Sequence, residues 1–128
     1  MAKLALLHVH SHFSLLAALP KIPDLVAKAE ERGVETLALT DIGNLYGAVE
    51  FYKECKKQEI KPIIGVDFYI AARSHTDKDF TLDKGTTRLV LIAQNKEGYQ
   101  NLVKLVTKSN MDGFFIRPRI DEALIQTH

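Results

Sequence analysis

The chain has 128 residues, 46% of them hydrophobic and 26% charged. That balance suits a water-soluble folded core and excludes a disordered, collagen-like or coiled-coil chain. Lys and Arg number 17 against 16 Asp and Glu, so the net charge of +1 marks no nucleic-acid or membrane partner.

The single cysteine, Cys55, cannot close an internal disulfide, which suits a reducing, cytoplasmic setting. No apolar run approaches the ~20 residues of a membrane helix, and nothing near the N-terminus resembles a signal peptide.

In chain order, Leu4–Val9 is a short apolar run ending in histidines and predicts a strand. Pro23 suits a first helical turn, and Leu25, Val26, Ala29 and Glu30 follow at helical spacing up to Gly33. Thr36–Thr40 predicts a second, buried strand, followed by the turn-rich tetrad Asp41-Ile42-Gly43-Asn44. A helix is expected from about Tyr46 to Gln58, with Val49, Tyr52 and Cys55 on one face.

Pro62–Ile70 predicts a third strand, interrupted by Gly65, and Arg73–Thr86 an exposed polar loop. Arg88–Ala93 predicts a fourth strand. Asn95 caps a helix carrying Tyr99, Leu102, Val103 and Val106. Phe114–Arg119 is ambiguous, and Asp121–Gln126 begins a further helix that reads as still under way at His128. Strands alternating with helices predict successive βα units, an α/β class and a mostly parallel sheet. With no interior linker, residues 1–128 read as one domain, or as part of one.

Working groups in parallel βα architectures gather at the C-terminal ends of strands. His8 and His10 lie there and point to the same face, about 7 Å apart along a strand. Two imidazoles so placed can grip a divalent transition metal. Ser11 and His12 extend this polar cluster into the next loop. Asp41, at the second strand end, can ligate a metal, orient a ligand histidine or cap the next helix. Asp67, inside an apolar strand, must face solvent, a cation or a metal, because an unpaired buried carboxylate is costly. Cys55 sits mid-helix beside lysines and reads as a structural thiol, and no glycine-rich phosphate loop occurs.

Three stretches, LLHVHSHFSLL, LALTDIGNLYGAVEFYKECKKQEIKPIIGVDFYIA and LVLIAQNKEGYQNLVKL, together resemble the polymerase-and-histidinol-phosphatase (PHP) domain at the N-terminus of bacterial replicative DNA polymerase III alpha subunits. The resemblance runs from about Leu4 to Asp121. It implies a distorted seven-stranded βα barrel, mostly parallel, of which this chain would supply the first half. It also implies a cluster of histidines and acids at the barrel mouth that holds divalent ions for phosphoester hydrolysis in metal-competent members.

Matched residue by residue, the resemblance implies metal ligands at His8, His10 and Asp67, the last in place of a glutamate, with Asp41 and His12 supporting them. It also implies three lost ligand positions: Ala17 for an Asp, Ile42 for a His, and Arg88 for a His. Ala17 and Ile42 carry no donor atom, and Arg88 stays protonated and would repel a divalent cation if it pointed inward. A bridged multi-metal centre is therefore not expected, although Zn, Mn or Mg could still bind a residual site.

The expectation is a degenerate, structural PHP segment, with no catalytic residue of its own, that docks the proofreading exonuclease (epsilon) subunit. The parent protein would be a DNA-directed DNA polymerase touching DNA through its other parts. The alternative is a working metal-dependent phosphoesterase or proofreading exonuclease. A half-barrel would also expose a strand edge and an apolar face, which predicts self-association of the isolated segment.

Overall fold

The computed structural model describes residues 4–128. The sheet is built from β1 (Ala5–Leu6), β2 (Thr36–Leu39), β3 (Lys61–Ala71), β4 (Thr86–Ile92) and β5 (Arg119–Ile120). The helices are α1 (Ile22–Glu31), α2 (Ala48–Lys57), α3 (Lys96–Met111) and α4 (Glu122–Thr127). The main path runs β1-β2-β3-β4, and β5 adds to β3. The pairs β1–β2, β2–β3 and β3–β5 are parallel, whereas β3–β4 is antiparallel. The sheet is mostly parallel, as a partial βα barrel requires.

The antiparallel pair departs from the expected run of βα units. Residues 72–85 join β3 to β4 without a helix, whereas a parallel return is usually carried by a crossover helix. The predicted break at Gly65 is also absent, because β3 runs through it. A Cβ at Gly65 would lie 2.7 Å from the Leu91 carbonyl oxygen and 2.9 Å from Thr40 Cγ2. Glycine there lets β3 pass close between β4 and the end of β2.

β1 is shorter than the predicted Leu4–Val9. Its ladder to β2 covers Ala5 and Leu6. Beyond it the backbone stays beside β2 through Val9: Thr40 N–H donates to Val9 O at 2.8 Å, and Val9 N–H donates to Thr40 Oγ1 at 2.9 Å. That tether holds the two histidines flanking Val9 at the sheet's C-terminal end.

Two apolar clusters support the sheet. One packs Ile22, Val26 and Ala29 of α1 with Leu37, Leu39, Phe51 and Cys55. The other packs Val66 and Phe68 of β3 with Leu102, Leu105, Ile120 and Leu124. The inward face of α2 is Ala48, Phe51 and Cys55, which corrects the face predicted through Val49 and Tyr52. Those two side chains are 60% and 49% exposed. Both stripes have helical spacing, and Phe51, the larger apolar group, takes the core. Burial, with Glu54 adding to it, pushes the Cys55 thiol up to about 11, as befits a packed, unreactive sulfur.

The N-cap of α3 is as predicted, with Asn95 accepting from Gly98 N–H at 2.9 Å. Asp121 caps α4 in the same way through Leu124 N–H at 2.9 Å. Residues 72–85 are more ordered in their bonding than a plain exposed loop. The Arg73 guanidinium grips the buried Asp83 carboxylate through Nε at 2.8 Å and Nη2 at 2.7 Å. Arg119 is fully buried and donates to the carbonyls of Gly113, Asp83, His75 and Asp77. No helix among the described residues is long and apolar enough to cross a membrane.

Candidate metal centre

Strand alternation brings His8, His10 and Asp67 together. His8 and His10 share a face of the chain after β1, with ring centroids 4.9 Å apart and nearly perpendicular planes. Asp67 projects to the same side from the middle of β3. Its backbone is pinned by the turn after β2: Asp67 N–H donates to Asp41 O, and Gly43 N–H donates to Asp67 O, each at 3.0 Å. Gly43 has a φ of 67°, the left-handed conformation that lets this turn close.

The ligand atoms of these three residues all lie within 4.8 Å of one another. His8 Nε2 stands 2.9 Å and His10 Nε2 3.1 Å from one oxygen, Asp67 Oδ2. By position alone, this is a donor set for a single divalent ion.

A fourth group occupies the same point. Arg88, on β4, faces Tyr69 in the antiparallel register, one pleat from Asp67. Its Nε donates to Asp67 Oδ1 at 3.0 Å, and its Nη2 donates to Asp67 Oδ2. This is the bidentate fork that guanidinium and carboxylate geometry favours. The Asp67 side chain is 2% exposed and that of Arg88 42%. Burial alone would raise the Asp67 carboxyl. Hydrogen bonds from Arg88 and His8, the Arg88 charge and the His10 bond outweigh it, holding Asp67 below the usual carboxylate range.

The residues therefore do not fit a metal centre in this arrangement. Both Asp67 oxygens are committed to a guanidinium that does not deprotonate, and its fixed charge opposes a divalent cation at the same place.

Asp41 is 1% exposed and serves the loop after β1. It accepts from Ser11 N–H at 2.6 Å, Ser11 Oγ at 2.7 Å and Ser14 Oγ at 2.6 Å. Ser14 Oγ in turn accepts from Ile42 N–H at 3.0 Å. The helix-cap reading of Asp41 is corrected: α2 begins after Gly47 and has no side-chain cap. His12 lies on the loop against Phe13, ring centroids 4.2 Å apart, and its Nδ1 is buried without a partner among the described residues.

Ala17 is exposed on the same loop. Ile42, just past the end of β2, forms a parallel bridge beside Asp67, so an apolar residue stands next to the cluster where a donor is needed. The pairing of Arg73 with Asp83 and the burial of Arg119 escaped the sequence reading. Their partners are separated by 10 residues and by up to 44, with no periodic signal.

The PHP domain family model matches residues 7–128. The chain belongs to the PHP domain family. Among curated relatives, it is 50% identical to the DNA polymerase III subunit alpha of Borreliella burgdorferi over 117 residues, 91% of this chain and 10% of that protein. It is 46% identical to that of Chlamydia pneumoniae over 123 residues, covering 95% of this chain and 10% of that protein. It is 45% identical to that of Thermus aquaticus over 130 residues, covering 98% and 11%. The chain thus spans about a tenth of the length of the relatives it matches.

Among solved structures, an amidohydrolase from Chromobacterium violaceum, with bound sulfate and no metal, superposes with a TM-score of 0.57 at 21% identity. It covers 80% of this chain and 32% of that one. The likeness establishes a shared fold, and its partial coverage of the larger chain agrees with a PHP half-barrel.

Proposed function

We propose that this chain is the first half of a PHP domain at the N-terminus of a replicative polymerase alpha subunit, and that it serves as structure rather than as a hydrolase. The single observation supporting this is Arg88 on Asp67, where a metal-competent site needs a free carboxylate. Ala17 and Ile42 remove two further donors. In this reading the fold keeps the strand-end charge cluster but neutralises it internally, so no ion is required for stability.

The parent protein is then a cytoplasmic DNA-directed DNA polymerase, with nucleotidyl transfer performed outside this segment. The PHP segment docks the proofreading exonuclease (epsilon) subunit. Support for the polymerase assignment is the 45–50% identity to alpha subunits over most of the chain. The convergence of His8, His10 and Asp67 keeps the hydrolase reading as the rival to be tested.

The test uses the purified chain with Mn²⁺ or Zn²⁺ and p-nitrophenyl phosphate. No turnover above the metal-only blank is expected, and turnover abolished by His8→Ala would overturn the structural reading. For docking, complete alpha subunit is mixed with purified exonuclease. Binding unaffected by removal of residues 1–128, in an otherwise folded protein, would contradict the docking role.

A further inference from the structure

A groove of about 980 Å³ opens between α2 and the start of α3, alongside the Lys61–Ile64 stretch of β3. Its origin is the missing βα unit. A strand in a parallel α/β sheet is ordinarily followed by a helix that covers the neighbouring face. Here β3 turns back into β4 with no helix between, so this part of the fold lacks its cover. The ladder to β4 runs from Gly65 opposite Ile92, with one further bond from Ala93 N–H to Ile64 O at 2.8 Å, leaving Lys61–Ile63 of β3 beside the open groove.

The open edge does not invite another strand. Lys61 N–H donates to Glu35 O on the β2 side, so alternation turns the next nitrogen, that of Pro62, toward the groove. Proline has no N–H there, which removes a ladder donor. What the groove offers is side-chain surface. Val49 and Tyr52 of α2 are 60% and 49% exposed, and Ile92 at the far wall is 41% exposed. Ile64 lies half-buried between them. Among the described residues, the charged side chains lining the groove are Lys53, Lys61 and Lys96, with no carboxylate.

We infer that this groove binds an amphipathic helix of a partner protein, its apolar ridge on Val49, Tyr52 and Ile92 and its glutamates or aspartates facing the three lysines. A wall of aliphatic and aromatic side chains selects apolar partners, a proline edge selects against strand addition, and a rim of one charge sign selects an acidic flank. A bound helix would restore the cover that the β3–β4 connection omits. The inference rests on the docking role proposed above and names its surface.

The test uses the 128-residue chain and three fluorescent probes: a helical peptide of about 18 residues with a leucine ridge and glutamate flanks, the same peptide with lysine flanks, and an oligothymidine of about 15 nucleotides. The glutamate peptide is expected to bind at least tenfold more tightly than the lysine peptide. Val49→Asp and Lys53→Glu are each expected to weaken it at least tenfold while leaving far-UV circular dichroism unchanged. Equal binding of the two peptides, indifference to both variants, or preference for the oligonucleotide would overturn the assignment.

A second arm repeats the comparison with full-length alpha subunit and purified exonuclease. Loss of exonuclease docking in both variants supports the groove as the dock. Docking that survives both variants overturns the groove assignment while the docking role stands. No docking by the unaltered protein overturns that role itself.

Discussion

Arg88 and Asp67 lie on adjacent antiparallel strands, and the guanidinium of one takes both oxygens of the other's buried carboxylate. His8 and His10 converge on the same oxygen from a third segment. Three cationic or hydrogen-donating side chains thus surround one carboxylate, a role that a metal ion plays when the carboxylate is free.

Removing the guanidinium should destabilise the fold. Arg88→Met leaves Asp67 buried with only its two histidine partners. Breaking a fully buried ion pair costs about 3–5 kcal/mol, and the partial exposure of Arg88 reduces this to about 1–3 kcal/mol. Urea unfolding followed by circular dichroism checks the value. The double variant Asp67→Leu/Arg88→Met should recover much of the loss, because no charge is then left unpaired. No loss in the single variant would contradict the pairing.

Acid should weaken the chain in a defined direction. Asp67 lies below the usual carboxylate range for the reasons given. Asp121 does so because the His75 and Leu124 bonds outweigh its burial. His75 N–H reaches Asp121 at 2.8 Å, its Nδ1 at 2.5 Å, and Leu124 N–H at 2.9 Å. Unfolded carboxyls titrate near 4. The folded state therefore favours the ionised forms, so their contribution is whole above that value and is lost as pH falls through it toward the lower folded values. The urea midpoint should drop as pH falls below about 4, less steeply in Asp67→Asn. A midpoint that rises on acidification would contradict this.

Asp41→Ala should release the loop after β1. Three donors would lose their acceptor, and hydrogen bonds to charged groups contribute about 1.5–3 kcal/mol each, not additively. The expected loss is about 2–4 kcal/mol. Hydrogen exchange should show faster exchange at the Ser11 and Ile42 amides first. Unchanged protection there would contradict the role assigned to Asp41.

Arg119→Met should loosen the 72–85 connection. The four carbonyls it serves lie on that segment and at Gly113, so limited proteolysis should cut between residues 74 and 84 in the variant and spare the native chain. Equal cleavage of both would contradict the anchoring.

Much of this was legible in the sequence. The four helices and the three longer strands β2, β3 and β4 follow from apolar spacing, as does the place, though not the length, of β1, and Asn95 and Asp121 carry their caps in their residue type. The pairing of His8 with His10 follows from strand alternation alone. What the sequence did not reveal depends on distant partners. Arg88 in isolation reads as a lost ligand, whereas its contact with Asp67 requires the antiparallel register of β3 and β4. That register in turn reflects a helix-free connection that periodicity cannot distinguish from a long loop before a parallel strand. Phe51 displaced Val49 and Tyr52 from the core for a similar reason: two stripes compete on α2, and neighbouring elements choose between them. Arg119 and Asp83 look like surface charges until the fold buries them.

Metal stoichiometry tests the central claim most directly. The chain is equilibrated with Zn²⁺ or Mn²⁺, dialysed and analysed by inductively coupled plasma mass spectrometry. Internal neutralisation by Arg88 predicts well under one ion per chain, unchanged by His8→Ala or His10→Ala. One or more tightly held ions per chain, lost in either histidine variant, would contradict it.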